Sequence, residues 1–349
     1  MSSIIPLDKF LNLRNSGALI IDVRSPSEFQ HAHIPGSINL PLLNDIERKE
    51  VGIMYKHNGK NLAVEKGFEL VGSRFHEMIQ YVRDQVRDDQ TVLVYCWRGG
   101  LRSNIMEWLL STGGMKVYRL ENGYKGFRKW VIESLHIQKK IVVIGGKTGS
   151  GKTELLQYLN SNGHQTIDLE QLAQHKGSVF GHFGMLNQPS NEMFENVLAD
   201  NWVKVDENKI LWIENESRTI GKCTIPGAIF SQMRNARVID ICIPDKHRTK
   251  RILNEYAIYP KEELKLASIK LEERLGGLRL KLVLSALEED RMEDWVELLL
   301  QYYDKAYMHG HEKRKAESIF QFEYDGINNL NMEERLLSLI KTETKYEHH

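Results

Sequence analysis

The sequence predicts two consecutive α/β domains, each a parallel sheet covered by helices, followed by a mostly helical C-terminal extension. Three observations predict this. The short β-branched runs ALIIDV (18–23) and TVLVY (91–95) read as buried strands, with a helical periodicity between them. A second series opens at KIVVIG (140–145) and continues with ILWI (210–213) and RVIDICI (237–243). After about residue 246 no further strand series follows. Strands that alternate with helices build parallel sheets with helices on their faces. A chain of 349 residues is also too long for one ordinary core. The expected domains are 1–135, 136–245 and 246–349, with the first break in the polar stretch SLHIQKK (134–140).

Taken in order, the first domain shows Phe68, Val71, Phe75, Ile79, Val82 and Val86 at three- and four-residue spacing, one apolar helix face. TVLVY leads into the loop CWRGGLRS (96–103), and NIMEWLLS (104–111) reads as the helix after it. In the second domain KIVVIG runs into GKTGSGKT (146–153), and ELLQYLN (154–160) reads as a helix. In the extension, KEELKLASIKLEERL (261–275) and EDWVELLLQYYDKAY (293–307) look helical, and Gly276-Gly277 should break the first of them. A short strand SIFQFEY (318–324) and a last helix MEERLLSLIK (332–341) close the chain.

Composition narrows the function classes. Hydrophobic residues at 41% and charged residues at 27% describe an ordinary soluble protein. No apolar run approaches bilayer length, and Asp8 and Lys9 stand where a signal peptide would be apolar. The expectation is a cytoplasmic protein with no membrane partner. Cys96, Cys223 and Cys242 make no disulfide framework, which fits a reducing compartment. With 47 basic and 47 acidic side chains the formal charge is zero, so a nucleic acid would be held by local patches. Nine Lys or Arg against three Glu between 96 and 140 form one such patch. Lys125, Arg128 and Lys129 are its candidate nucleic-acid contacts, with Trp97 and Tyr124 as stacking candidates. Lys246, Arg248, Lys250 and Arg251 form a second. His348 and His349 read as the remnant of a purification tag and carry no argument.

Cys96 is the candidate nucleophile. A strand–loop–helix with two glycines lets successive backbone N–H groups point into one bowl, where a helix N-terminus favours an anion and a thiolate. Arg98 and Arg102 add positive charge. A buried structural cysteine would have apolar neighbours instead, and Cys223 and Cys242 fit that description.

Residues 146–153 satisfy the phosphate-loop pattern G-x-x-x-x-G-K-[ST], between a strand and a helix as the motif requires. Gly146, Gly149 and Gly151 let the backbone wrap phosphates, Lys152 reaches the outer ones, and Thr153 can hold magnesium. The assisting carboxylate should end a later strand. Glu214 and Glu216 stand there, with Asp168 as an alternative after HQTI.

The segment IDVRSPSEFQHAHIPGSINLP (21–41) resembles the rhodanese domain, with Asp22, Arg24, His33 and Gly36 at its supporting positions. That resemblance implies a persulfide-forming cysteine at Cys96. The five residues between Cys96 and Arg102 depart from many sulfur-transferring rhodaneses. They match the spacing of cysteine-dependent phosphatases and arsenate reductases, whose larger loop suits a tetrahedral phosphorus centre. Over nearly its whole length the chain resembles the tRNA 2-selenouridine synthase family, through CWRGGLRS, GGKTGSGKT, DLEQLAQHKGSVFG (168–181), ENESRTIG (214–221), RLGG (274–277) and YYDKAYMH (302–309). The resemblance implies exchange of the sulfur of a wobble 2-thiouridine in tRNA for selenium from selenophosphate, and transfer of a geranyl group to that sulfur. It also implies a selenophosphate supplier as partner.

Two anion sites suit such chemistry: a diphosphate leaves at one, and a selenium donor meets a soft nucleophile at the other. Geranyl diphosphate is the expected P-loop ligand, with ATP or GTP as the conventional alternative. Two other readings stay open. One is a cysteine phosphatase or arsenate-reductase-like domain fused to a nucleotide-binding domain, although the loop lacks an acidic residue as general acid. The other is a P-loop kinase whose rhodanese-like half only binds a partner.

Overall fold

A computed structural model describes residues 3–87, 90–312, 314–323 and 332–341; the terminal histidine pair lies outside them. The chain divides into two units, residues 1–134 with 189–200, and residues 135–188 with 201–349.

In the first unit β1 (Ile4–Ile5), β2 (Leu19–Asp22), β3 (Ser37–Asn39), β4 (Val92–Tyr95) and β5 (Val117–Leu120) form one parallel sheet in the order β1-β5-β4-β2-β3. β4 is buried along its whole length, as a central strand covered on both faces must be. Ile21, Val94, Met106 and Leu110 meet in the core beneath it. The expected helix through 68–86 is two helices, Lys60–Val71 and Phe75–Gln85, with a 3-10 turn at Gly72–Arg74 between them. Val71 and Val82 are buried in one core, but Phe68 is exposed.

One segment belongs elsewhere than its sequence position suggests. Residues 189–200, expected in the second domain, pack with the first. Arg128 explains it: its guanidinium donates to Glu195 Oε2 at 2.5 Å and to Asn196 Oδ1 at 2.6 Å. The Tyr124 hydroxyl donates to Glu192 at 2.7 Å.

In the second unit β6 (Lys140–Gly146), β7 (Gln165–Ile167), β8 (Ile210–Glu214), β11 (Arg237–Cys242) and β12 (Ile319–Glu323) form a parallel sheet in the order β12-β11-β6-β8-β7. A small antiparallel pair, β9 (Thr219–Ile220) and β10 (Cys223–Thr224), stands apart. β12 comes from the stretch read as an extension, which therefore completes the sheet. Its helices also build a separate apolar cluster around Phe180, Tyr256, Leu264, Trp295 and Leu299. Gly276, at φ +78°, separates the helices Glu272–Leu275 and Gly277–Glu288, as the glycine pair predicts.

Candidate functional site

Each unit carries one glycine-containing loop at the C-terminal edge of its sheet, where parallel sheets present their ligands.

In the first unit β4 ends at Tyr95, and Cys96 opens the turn before the helix Leu101–Thr112. Cys96 is 3% exposed. Its Sγ lies 3.2 Å from Ser103 Oγ, and the same hydroxyl lies 3.0 Å from the Gly100 carbonyl oxygen. Among the described residues, the backbone N–H groups of 97–102 find no carbonyl acceptor within the chain. The turn is pinned from β5 and the helix after it: Arg119 donates to the Gly99 carbonyl at 3.1 Å, and Tyr124 N–H donates to the Cys96 carbonyl at 2.8 Å. Gly123 makes this approach possible, since a Cβ there would sit 2.2 Å from the Cys96 carbonyl oxygen.

The two loop arginines differ. Arg102 forms an ion pair with Glu28 at 2.7 Å, and Arg48 reaches the same carboxylate at 3.1 Å. Burial would push the Glu28 carboxyl up, but the hydrogen bond and charge of Arg102 outweigh it and hold Glu28 below the usual range. Arg98 is exposed and makes no ion pair among the described residues. Asp22 and Arg24 form a buried pair behind the loop, and Arg24 stacks 3.9 Å above the Tyr124 ring. They are scaffold. His33 is too: its Nδ1 lies 2.9 Å from the Phe29 carbonyl oxygen and its ring stacks on Phe29.

The basic patch changes membership. Lys125 and Lys129 are exposed, and Lys129 has only a loose 3.7 Å contact with Glu133. Arg128 is consumed in holding residues 189–200, so it is withdrawn as a tRNA contact. Tyr124 is fully buried and cannot stack on a base, whereas Trp97 is 39% exposed.

In the second unit the P-loop follows β6, and the helix Lys152–Ser161 begins at its lysine. Gly146, Gly149 and Gly151 all have positive φ, at 144°, 77° and 90°, which winds the loop. Lys152 Nζ lies 3.2 Å from the Gly146 carbonyl oxygen, and Thr153 sits in the first turn of the helix.

Glu214, the last residue of β8, is fully buried beside Ile144 of β6. It forms a cluster with Glu216 and Glu170, in which one carboxylate oxygen from each lies within 4.8 Å of the others. Glu214 Oε1 accepts from the Glu170 N–H at 2.8 Å, and Oε2 has no hydrogen-bond partner. Burial and then the Glu216 charge push the Glu170 carboxyl up to about 8. Burial and then the Glu170 charge push Glu214 well above the ordinary value. Glu216 is raised by burial, against the charge of Lys152. Three crowded carboxylates with one orphaned oxygen fit a divalent cation. Asp168, the sequence alternative, instead accepts from Gln171 N–H at 2.8 Å and caps the helix Leu169–Ala173. Glu170 was missed by sequence reading. Its signal was its place three residues past the end of β7.

The second basic cluster does not face solvent as a unit. Arg248 is buried, donates to the Thr148 carbonyl of the P-loop at 2.9 Å, and pairs with Asp245 and Asp304. Asp304 also receives Lys147 at 3.3 Å. Gly146 N–H donates to the Tyr307 hydroxyl at 2.8 Å, and that hydroxyl donates to Asp240. Residues 302–309 thus hold the P-loop from behind. Beside Thr148 lies a narrow apolar cavity walled by Phe180, Ile252, Tyr256, Trp295, Val296, Leu299 and Tyr303.

No helix among the described residues is long and apolar enough to cross a membrane. Residues 7–129 match a family model for the rhodanese-like domain. Residues 139–336 match the model of the tRNA 2-selenouridine synthase AAA domain. The chain is 36% identical over 342 residues to the tRNA 2-selenouridine synthase of Pseudomonas fluorescens (strain Pf0-1), covering 88% of this chain and 91% of that one. It is 33% identical to that of Hahella chejuensis, covering 90% and 91%. For Sulfurovum sp. the identity is 34%, covering 86% and 91%. Likeness on this scale spans the cysteine loop and the P-loop together, and by it the chain belongs to the tRNA 2-selenouridine synthase family.

Proposed function

We propose that this chain is a transferase that converts 2-thiouridine at the wobble position of tRNA to 2-selenouridine. It takes selenium from selenophosphate and proceeds through an S-geranyl intermediate. The observation that carries the reading is the presence, in one chain of this family, of a thiol loop and a P-loop that are each fully built.

The chemistry assigns each loop a task. A thiocarbonyl sulfur is a poor leaving group. Alkylation by geranyl diphosphate forms a carbon–sulfur bond, breaks the carbon–oxygen bond to diphosphate, and turns the sulfur into a thioether. Hydrogen selenide then adds at carbon 2 and expels geranyl thiol. The departing diphosphate needs preorganised positive charge, which the P-loop backbone and Lys152 supply. Glu170, Glu214 and Glu216 would hold a magnesium ion, which adds charge against the diphosphate when bound. Geranyl transfer must expel a diphosphate, whereas exchange of sulfur for selenium has no need of nucleotide hydrolysis, and this favours geranyl diphosphate over a nucleotide at the P-loop. Selenium delivery falls to the Cys96 loop, and Lys125, Lys129 and Trp97 are the surface groups offered to tRNA.

The test is direct. The protein is incubated with 2-thiouridine tRNA, geranyl diphosphate and selenophosphate, and the nucleosides are read by mass spectrometry. Selenouridine should form, with S-geranyl-2-thiouridine accumulating when selenophosphate is withheld. Cys96→Ser should stop selenation and spare geranylation. Unmodified 2-thiouridine under all conditions would reject the reading.

A further inference from the structure

We infer that Cys96 is the phosphoryl acceptor for selenophosphate, attacking phosphorus to release hydrogen selenide, with Ser103 as the hydroxyl that steadies the thiolate. The inference rests on selenophosphate being the donor.

Selenium in selenophosphate is already at the selenide level, and the overall exchange of sulfur for selenium is redox-neutral. Storing selenium on Cys96 as a sulfur–selenium bond requires a two-electron oxidation that the exchange does not contain. Attack at phosphorus requires none. The Cys96 sulfur–phosphorus bond forms, the phosphorus–selenium bond breaks, and its electron pair leaves with selenium. Water then attacks the phosphocysteine, phosphate departs, and the thiolate is restored.

The loop matches this step. Five residues separate Cys96 from Arg102, room for a tetrahedral group, and the N–H groups of 97–102 find no carbonyl acceptor within the chain among the described residues. Ser103 Oγ stands between Cys96 Sγ at 3.2 Å and the Gly100 carbonyl oxygen at 3.0 Å. Its one proton can serve the carbonyl while the thiol is protonated, then turn to the sulfur once it is a thiolate. That donor is needed twice, for the attacking thiolate and for the thiolate that leaves when phosphocysteine is hydrolysed. Equally telling is the absence of an acidic residue from 96–103. Expelling an alkoxide requires a general acid, whereas hydrogen selenide is a far weaker base and leaves unaided. Glu28, paired with Arg102, is held ionised by it and supplies no proton.

The experiment uses the full chain under anaerobic conditions, with selenophosphate labelled in phosphorus or in selenium and with tRNA already carrying the S-geranyl group. Native protein should release phosphate and hydrogen selenide without tRNA, and any adduct trapped on Cys96 should carry phosphorus and survive dithiothreitol. Cys96→Ser should lose phosphate release at least a hundredfold, yet selenate the geranylated tRNA when hydrogen selenide is supplied directly. Ser103→Ala should lower kcat for phosphate release at least tenfold with KM little changed, and Ser103→Thr should restore it. A selenium-bearing, thiol-labile adduct on Cys96 would overturn the inference while leaving selenophosphate as donor. So would undiminished phosphate release by Cys96→Ser. If native protein uses hydrogen selenide but never consumes selenophosphate, the donor reading itself fails and the inference falls with it.

Discussion

Glu28 decides how the loop arginine is presented. It caps the helix Pro26–His31 through the Ser25 N–H at 3.1 Å, and it receives both Arg102 and Arg48. Because its folded pKa lies below the ordinary carboxylate value, its contribution to stability is complete above about pH 4.5. That contribution is lost as the pH falls through the depressed value. Glu28→Gln should therefore melt lower than native at neutral pH, and the difference should shrink toward acid. A difference constant from pH 7 to 3 would mean that the ion pair contributes nothing. Sequence reading found Arg102 but not its partner, because 74 positions separate them and no local pattern links the two. The same limit hid Glu170, whose role depends on β7 and β8 lying side by side. Cys96 and Lys152 were legible because strand, loop and helix follow one another along the chain, and Glu214 because it ends a strand.

At the scale of elements, the helix Met292–His311 has two jobs. Asp304 and Tyr307 brace the P-loop from behind, while Trp295, Val296, Leu299 and Tyr303 line the apolar cavity. The sequence marks residues 293–307 as helical. It did not show which loop that helix supports, since packing partners are set by the sheet order. Nor did it show that residues 189–200 dock on the first unit, an arrangement settled by Arg128 and Tyr124. The cavity yields a prediction. Val296→Phe fills it, with an overpacking cost of about 1–3 kcal/mol to be checked by thermal melting. The melting temperature should fall, because the cavity, at about 30 Å³, is smaller than the ring that is added. An unchanged melting temperature would mean that this core takes the larger side chain without strain.

For the whole molecule, zero formal charge means that a polyanion must find local charge, and Lys125 and Lys129 are among the patch members left exposed without a close partner. Replacing both with alanine should weaken tRNA binding and reduce the salt slope by up to about 2, one for each phosphate no longer neutralised. An unchanged slope would place tRNA elsewhere. In the proposed scheme the two loops divide the reaction, and this division can be tested by entering it halfway. Lys152 supplies charge to consecutive phosphates regardless of what they are attached to. Geranyl transfer must expel a diphosphate, whereas exchange of selenium for the thioether has no evident need of the P-loop. Lys152→Ala should therefore abolish geranylation of 2-thiouridine tRNA, and selenation with it. Supplied with tRNA that already carries the S-geranyl group, the same variant should form selenouridine at close to the native rate, because only the Cys96 step remains. A P-loop that serves ATP- or GTP-driven handling of tRNA makes the opposite prediction. The variant would then fail on both substrates, and the native protein would hydrolyse the nucleotide when tRNA is added. Selenouridine yield from pre-geranylated tRNA, measured beside tRNA-stimulated hydrolysis, separates the two. Failure of the bypass together with such hydrolysis would reject geranyl diphosphate as the P-loop ligand.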